Sequence, residues 1–363
     1  MTMPIKQKGS VIIIVLWTAV LLTVLVTAMA SKVRLSAKTV VHNQDATANW
    51  VKVMEAINFA EMELMMERMP LPIGEEQERS EEGEVLNPAY RFDGQVLGLE
   101  YELAESTVVR IYDHAGKINL NRIPRRNMQT IIEHRLGGID ADPQQVQDLL
   151  AAWTDWTDLN DLEGLNGAEK DYYLDLDQPY TPRNNPELDT VEEILHIRGF
   201  AELFEGLNLD AAFTIYGNSR TINLNLASRE AMQLVPGLDD ELIETIIAYR
   251  ELEDLSNRAE IAEIIPFENL QQLSPWIGND SSNVYSVFAY QKLESGSNSE
   301  GGVIDESDEQ EIETLDLVRQ AYMEIVEVRS YNSLPRIYKI DPYGVLPDTA
   351  PARVEEYQIE LPF

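Results

Sequence analysis

The residues best able to do chemistry lie between Trp153 and Asp177. There Asp155, Asp158, Asp161, Glu163, Glu169, Asp171, Asp175 and Asp177 surround a single base, Lys170. Carboxylates at this density supply the hard oxygen ligands of calcium, which takes roughly six to eight of them. The spacing is not that of an EF-hand. Asp155 and Asp158 fall on one face at the end of a helix, Asp161 follows in a loop, and Glu169 and Asp171 come after the Gly164 to Gly167 bend. Gathering these groups without a cation is costly, because like charges in proximity raise one another's pKa. The competing reading is a solvated acidic loop in a very acidic protein.

Other chemistry has weaker support. The chain has no Gly-rich phosphate loop, no His-Glu-x-x-His and no Gly-x-Ser-x-Gly. A nuclease would set lysines or arginines beside its acids, and this stretch has only Lys170. A glycosidase wants aromatic platforms, but Trp153, Trp156, Tyr172 and Tyr173 fit helix packing equally well. Asp113-His114 sits in a predicted turn. The expectation is a protein that is not an enzyme. A formal net charge of -35 over 363 residues repels phosphate backbones and anionic headgroups and favours cationic partners. With no cysteine, stability must come from packing and metal rather than disulfides.

The elements that must position the acids are helical. From Lys117 to about Asp280 the pattern reads as short helices and contains an internal repeat: Ile118-Asn119-Leu120-Asn121 returns as Ile222-Asn223-Leu224-Asn225. After the second copy, Ser228 can cap a helix, Pro236-Gly237 makes a hairpin, and Asp239 and Asp240 suit the positive end of the next helix. This resembles a helix-hairpin-helix unit, echoed weakly at Val191 to Phe200. Many such units hold DNA phosphates on hairpin amides. Here Asp239, Asp240 and Glu241 occupy the anion position, so no nucleic acid is expected. Strand-like stretches flank this block: Leu99 to Leu103 and Thr107 to Tyr112 before it, Asn283 to Gln291, Val318 to Arg329 and Pro335 to Ile340 after it. Segments Glu75 to Glu84 and Glu294 to Glu313 read as polar connections. The expected fold class is α+β, an antiparallel sheet interrupted by a large all-α insert.

Ahead of all this stands the apolar run Val11 to Ala30, entered through Lys6-Gln7-Lys8-Gly9-Ser10. Twenty helical residues rise about 30 Å, enough for a single membrane span. Nothing breaks the helix afterwards: Ser31 to Met69 contains neither Gly nor Pro, and the stop comes at Pro70-Leu71-Pro72. Such a rod would be roughly 90 Å long. A cleaved secretory signal ending at Ala30 or a plain anchor would not need that continuation; a stalk whose distal half packs on its own head would.

The basic leader, Gly9 and apolar helix resemble the N-terminus of type IV pilin-like proteins, cut between Gly9 and Ser10. Most of that family carry glutamate at the fifth mature residue, and here that position is Ile14. The missing glutamate, the large size and the interrupted sheet together resemble the K-type minor pseudopilin of type II secretion, over nearly the whole chain. The resemblance implies a prepilin leader (1–9), a transmembrane stalk helix (10–69), a head in two parts (70–116 and 281–363) and a helical insert (117–280). It further implies cleavage and methylation by a prepilin peptidase, an inner-membrane location with the head in the periplasm, and an inner-membrane assembly platform and other minor pseudopilins of the filament tip as partners. Trp156-Thr157-Asp158, Gly167-Ala168-Glu169 and Tyr172-Tyr173 are similar to a calcium-holding stretch of the K-type family. That implies structural Ca2+ on Asp158, Asp161, Glu169 and Asp171 first, with Asp155 and Asp177 as further candidates. The alternatives are an exported helix-hairpin-helix nucleic-acid-binding protein and a signal-anchored calcium-dependent hydrolase.

Overall fold

The computed structural model describes residues 10–70, 91–97, 103, 107–182, 185–255, 258–291 and 320–347. The leader with Gly9, the two polar connections and all of the Leu99 to Leu103 stretch except Leu103 therefore lie outside the described residues. The chain divides into two compact units, one ending at Met54 and the other running from Glu55.

Helix α1 spans Ser10–Glu67. In the first unit its large apolar side chains stand exposed, from Ile12 and Ile14 through Leu25 to Trp50. It contains a stretch of mean hydropathy 2.7, long and apolar enough to cross a membrane. The hydroxyls of Thr23 and Thr27 donate to the carbonyls of Ala19 and Thr23 at 2.8 Å. The polar groups of this greasy segment are thus satisfied within the helix, as a lipid environment demands.

The second unit begins with the distal part of α1, where the pattern changes. Ala56, Ile57, Ala60 and Leu64 are buried while Glu55 and Met62 face out, the stripe of a helix lying on a core. The core is a five-stranded antiparallel sheet of β1 (Asp93–Val96), β2 (Thr107–Asp113), β5 (Val284–Gln291), β6 (Gln320–Glu327) and β7 (Arg336–Val345), in the order β1-β2-β5-β6-β7. Strands β2 and β5 are direct neighbours in the sheet, with Thr107 opposite Gln291 and Asp113 opposite Tyr285, yet the whole helical block separates them in sequence. On one sheet face Val108, Tyr112, Phe288, Met323 and Ile325 form a core cluster. Alternation places Val109, Ile111, Val287 and Ala289 on the other face, also buried. That face receives α1: the Arg68 guanidinium, just past its end, donates to the Tyr285 hydroxyl at 2.6 Å and to the Ser282 carbonyl at 2.7 Å.

The inserted block contains β3 (Ile118–Asn119), α2 (Arg125–Arg135), α3 (Pro143–Trp156), α4 (Lys170–Leu174), α5 (Phe200–Leu203), α6 (Leu209–Ala212), β4 (Phe213–Thr214), α7 (Arg229–Met232), α8 (Asp240–Leu252), α9 (Arg258–Ile264) and α10 (Phe267–Leu273), around one continuous apolar core. It departs from the all-α expectation in small ways. β3 and β4 pair in parallel, and Ile222 makes an isolated parallel bridge to Ile277. The Ile-Asn-Leu-Asn repeats therefore open as extended segments before their helices. Strand β1, with its short polar sequence Asp-Gly-Gln-Val, has no counterpart among the sequence expectations.

The repeat is a structural duplication. In the first copy the Asn119 side chain accepts from the Asn121 amide at 3.0 Å, and in the second Asn223 accepts from Asn225 at 3.0 Å. Asn121 then clamps the backbone of Leu188, accepting from its N–H at 2.7 Å and donating to its carbonyl at 3.1 Å. Asn225 does the same to Leu255, at 2.9 and 3.2 Å. Each copy thus uses one carboxamide to tie a helical hairpin to the chain that follows it.

Candidate functional site

The acidic stretch starts where α3 ends. Asp142 caps the first turn of α3, accepting from the Gln144 amide at 3.0 Å, and Pro143 occupies the first helical position. Val146, Leu149, Leu150, Trp153 and Trp156 bury one face, and Trp153 stacks on Phe200 with ring centroids 5.8 Å apart. Asp155 is carried inward in the last turn of this helix and is only 4% exposed. The loop then turns through Asx contacts. Asp158 accepts from the Asn160 amide at 2.9 Å, and the Asn160 side chain accepts from the Leu162 amide at 2.8 Å. The chain returns to Asp155, whose Oδ2 accepts from the Gly164 amide at 3.0 Å.

Two glycines make that return possible. A Cβ on Gly164 would stand 2.8 Å from Asp155 Oδ1, and one on Gly167 only 1.7 Å from Oδ2. Between them Asn166 adopts a left-handed conformation with φ of 59°. Arg198 secures the far side, donating to the Gly167 carbonyl at 2.7 Å, to the Asp148 carbonyl at 3.2 Å and to the Asn166 carbonyl. Its guanidinium lies over the Tyr172 ring, 5.3 Å from the centroid. Tyr173, buried in α4, packs edge-on against Trp156 at 5.1 Å.

This scaffold brings Asp155, Asp158 and Glu169 together, with carboxylate oxygens within 4.8 Å of one another. Glu169 immediately precedes α4 and is 5% exposed, and neither of its carboxylate oxygens has a hydrogen-bond partner. Burial first, then the charges of Asp155 and Asp158, push its carboxyl up to about 7; Asp161 adds to the effect from the exposed loop. Asp171 and Asp177 are exposed and lie outside this three-acid group, as do Glu163 and Asp175. A buried acid with two unsatisfied oxygens beside two further acids fits a hard cation, which would complete the missing contacts. The sequence reading missed Arg198, whose only signal is its place in the Ile-Arg-Gly echo of the hairpin motif.

Among the described residues, the second hairpin shows no comparable chemistry. Ser228 caps α7 and Asp239 caps α8, accepting from Leu242 at 2.9 Å. The Gly237 carbonyl accepts from the Asn269 side chain at 2.8 Å. The positive end of α8 is therefore taken by the chain's own carboxylate, where a nucleic-acid-binding hairpin would seat a phosphate. Asp113 also acts as a turn residue, accepting from the Ala115 and Ser282 amides. His114 and Lys117 are buried nearby and both meet the Ser286 hydroxyl at 2.8 Å, a closed network whose serine has no exposed surface.

A long apolar helix leading into an antiparallel sheet that a helical module interrupts defines a mixed α+β class with a helical insert. Within it, residues 116–207 match the family model of type II secretion system (T2SS) protein K, first domain. The match covers about a quarter of the chain and falls in the first part of the helical insert. Among solved structures, it is similar to a chain of the GspK-GspI-GspJ complex from the enterotoxigenic Escherichia coli type 2 secretion system. The identity is 11%, the TM-score 0.47, and the match covers 84% of this chain and 98% of that one. No curated protein matches the chain.

Proposed function

We propose that the protein is a minor pseudopilin of a type II secretion system, anchored in the inner membrane by α1 with its head in the periplasm. One observation carries the reading: the stretch that matches the protein K model lies in a module inserted between two adjacent strands of the sheet that receives the distal part of α1. The work of such a subunit is assembly. A prepilin peptidase cleaves between Gly9 and Ser10 and methylates the new amine, and the apolar helix exchanges lipid for helix contacts in the filament. Ile14 offers no carboxylate to a subunit ahead, and the bulky insert leaves little room for one, which suits the tip. Other minor pseudopilins and the inner-membrane assembly platform are its partners.

Calcium belongs to the same reading. Asp155, Asp158 and Glu169 would hold it, with Asp161 next to them. The bound ion would supply positive charge to a loop that otherwise sets like charges together. Its role is structural, so binding energy adds to the stability of the insert. N-terminal sequencing of the mature chain from membranes tests the assignment: a start at Ser10 is expected, and a start at Met1 or Ser31 would overturn it. A calcium titration followed by thermal melting tests the ion, and an unchanged midpoint would reject it.

A further inference from the structure

A second group of buried acids lies far from the acidic loop in sequence, where the distal part of α1 crosses the sheet. Glu324, in the middle of β6, is 2% exposed, and its Oε1 has no hydrogen-bond partner. Glu61 of α1 lies near enough to feel its charge and also has a buried oxygen without a hydrogen-bond partner. Burial and the Glu324 charge push the Glu61 carboxyl up to about 7, while burial raises Glu324. Two acids placed in this seam with no counter-charge among the described residues destabilise the subunit on its own.

The sheet continues past the seam onto β7. Direct cross-strand partners share a sheet face, so Ile340, opposite Glu324, and Ile337, opposite Val326, extend the α1-facing surface onto β7. β7 is the last strand of the sheet. Beyond the reach of α1, these two side chains are 53% and 50% exposed. The face therefore has an apolar shelf on an edge strand, and at its inner margin two carboxylates that each hold one buried oxygen without a hydrogen-bond partner.

We propose that this shelf, bordered by Glu61, Glu324, Ile337 and Ile340, is the docking surface for a neighbouring subunit of the filament, which lays an amphipathic helix along it and brings a lysine or arginine to Glu61 and Glu324. Apolar side chains of the incoming helix cover Ile337 and Ile340, and its cation supplies the charge the acids lack. A second copy of this chain is the wrong occupant. Placing the same face of two copies together would set four carboxylates against one another, on chains that each carry -35.

The inference rests on the pseudopilin assignment, and the experiment separates the two. The tagged full chain in detergent is co-expressed with the other minor pseudopilins of its own secretion system, and the recovered partners are quantified. Ile340→Asp is expected to lower recovery about tenfold, whereas Leu334→Asp, at a residue 89% exposed just before β7, leaves it unchanged. The paired change Glu61→Gln with Glu324→Gln should lower recovery severalfold while raising the melting temperature of the isolated chain at pH 8. A purely structural role would move both readings the same way. Normal recovery by the Ile340 and glutamine variants overturns the docking surface alone. Failure of the unaltered chain to recover any of these subunits overturns the assignment, and the surface with it.

Discussion

The two copies in the helical insert share a frame and differ in one segment. Both open with Ile-Asn-Leu-Asn, form a hairpin of helices and tie it down with the second asparagine. The clamp spans 67 residues in the first copy, from Asn121 to Leu188, but only 30 in the second, from Asn225 to Leu255. The additional chain in the first copy is the acidic loop with α4. The second copy shows that the frame folds without such a loop. The loop's buried acids, its glycines and the Arg198 clamp are therefore additions to a working unit, and their cost in charge repulsion needs a return other than folding the hairpin.

The strongest way to break this comparison is to deny the loop its return path. Gly167→Ala drives a Cβ into the Asp155 carboxylate, with backbone held by Arg198 on the other side. We expect a loss of about 3 kcal/mol in thermal unfolding and no remaining response to calcium. Gly237, at the second hairpin, has φ of 88° and would place its Cβ 3.0 Å from the Asn269 carbonyl. Gly237→Ala should cost less, about 1–2 kcal/mol, and leave the calcium response intact.

The equivalence of the two frames is tested next. Asn121→Ala and Asn225→Ala each strand a backbone N–H and C=O that the side chain had satisfied. Both should destabilise by about 2 kcal/mol in denaturant titrations. A large effect in one copy and none in the other would mean that the shared motif does not do the same job twice.

How far these features could be read in advance depended on their range in sequence. The continuity of α1 is legible because it needs only the absence of Gly and Pro over a long stretch. Asp155 and Asp158 could be placed together because three residues on a helix end share a face. The three-acid group itself could not be assembled, since Glu169 reaches it only through a loop whose path depends on two glycines and on Arg198, more than thirty residues from the loop's bend. The clamps on Leu188 and Leu255 were invisible for the same reason: the repeat shows its asparagines, but not the distant backbone they hold. Strand β1 is too short and polar to stand out, and is defined by pairing with β2 rather than by its own side chains.

A smaller effect sharpens the electrostatic side of the comparison. Without calcium, the raised Glu169 carboxyl favours the folded state while protonated. The sign follows from linkage: between the unfolded value near 4.5 and the folded value of about 7, the native chain holds the extra proton, so this group's stabilisation is complete below that window and lost as pH rises through it. Glu61 contributes in the same direction and is held constant. Glu169→Gln in a chelator should therefore raise the melting midpoint at pH 8 by about 3 °C, with no gain at pH 4.5, and should abolish stabilisation by calcium. A variant that melts lower at pH 8 would show that the carboxylate already has a partner.

The smallest expected effect decides where the proposed calcium ligand set ends. Asp177 lies beyond α4, exposed and outside the group formed by Asp155, Asp158 and Glu169. Its charge reaches the three acids through water, which screens it. Asp177→Asn should change stability by less than about 0.5 kcal/mol and leave the calcium midpoint where it was. Asp155→Asn and Asp158→Asn should each weaken binding. If Asp177→Asn weakened calcium binding as much as Asp155→Asn, the loop would have to close further around the ion, and the first copy would then owe its extra chain to a site that forms only when the metal arrives.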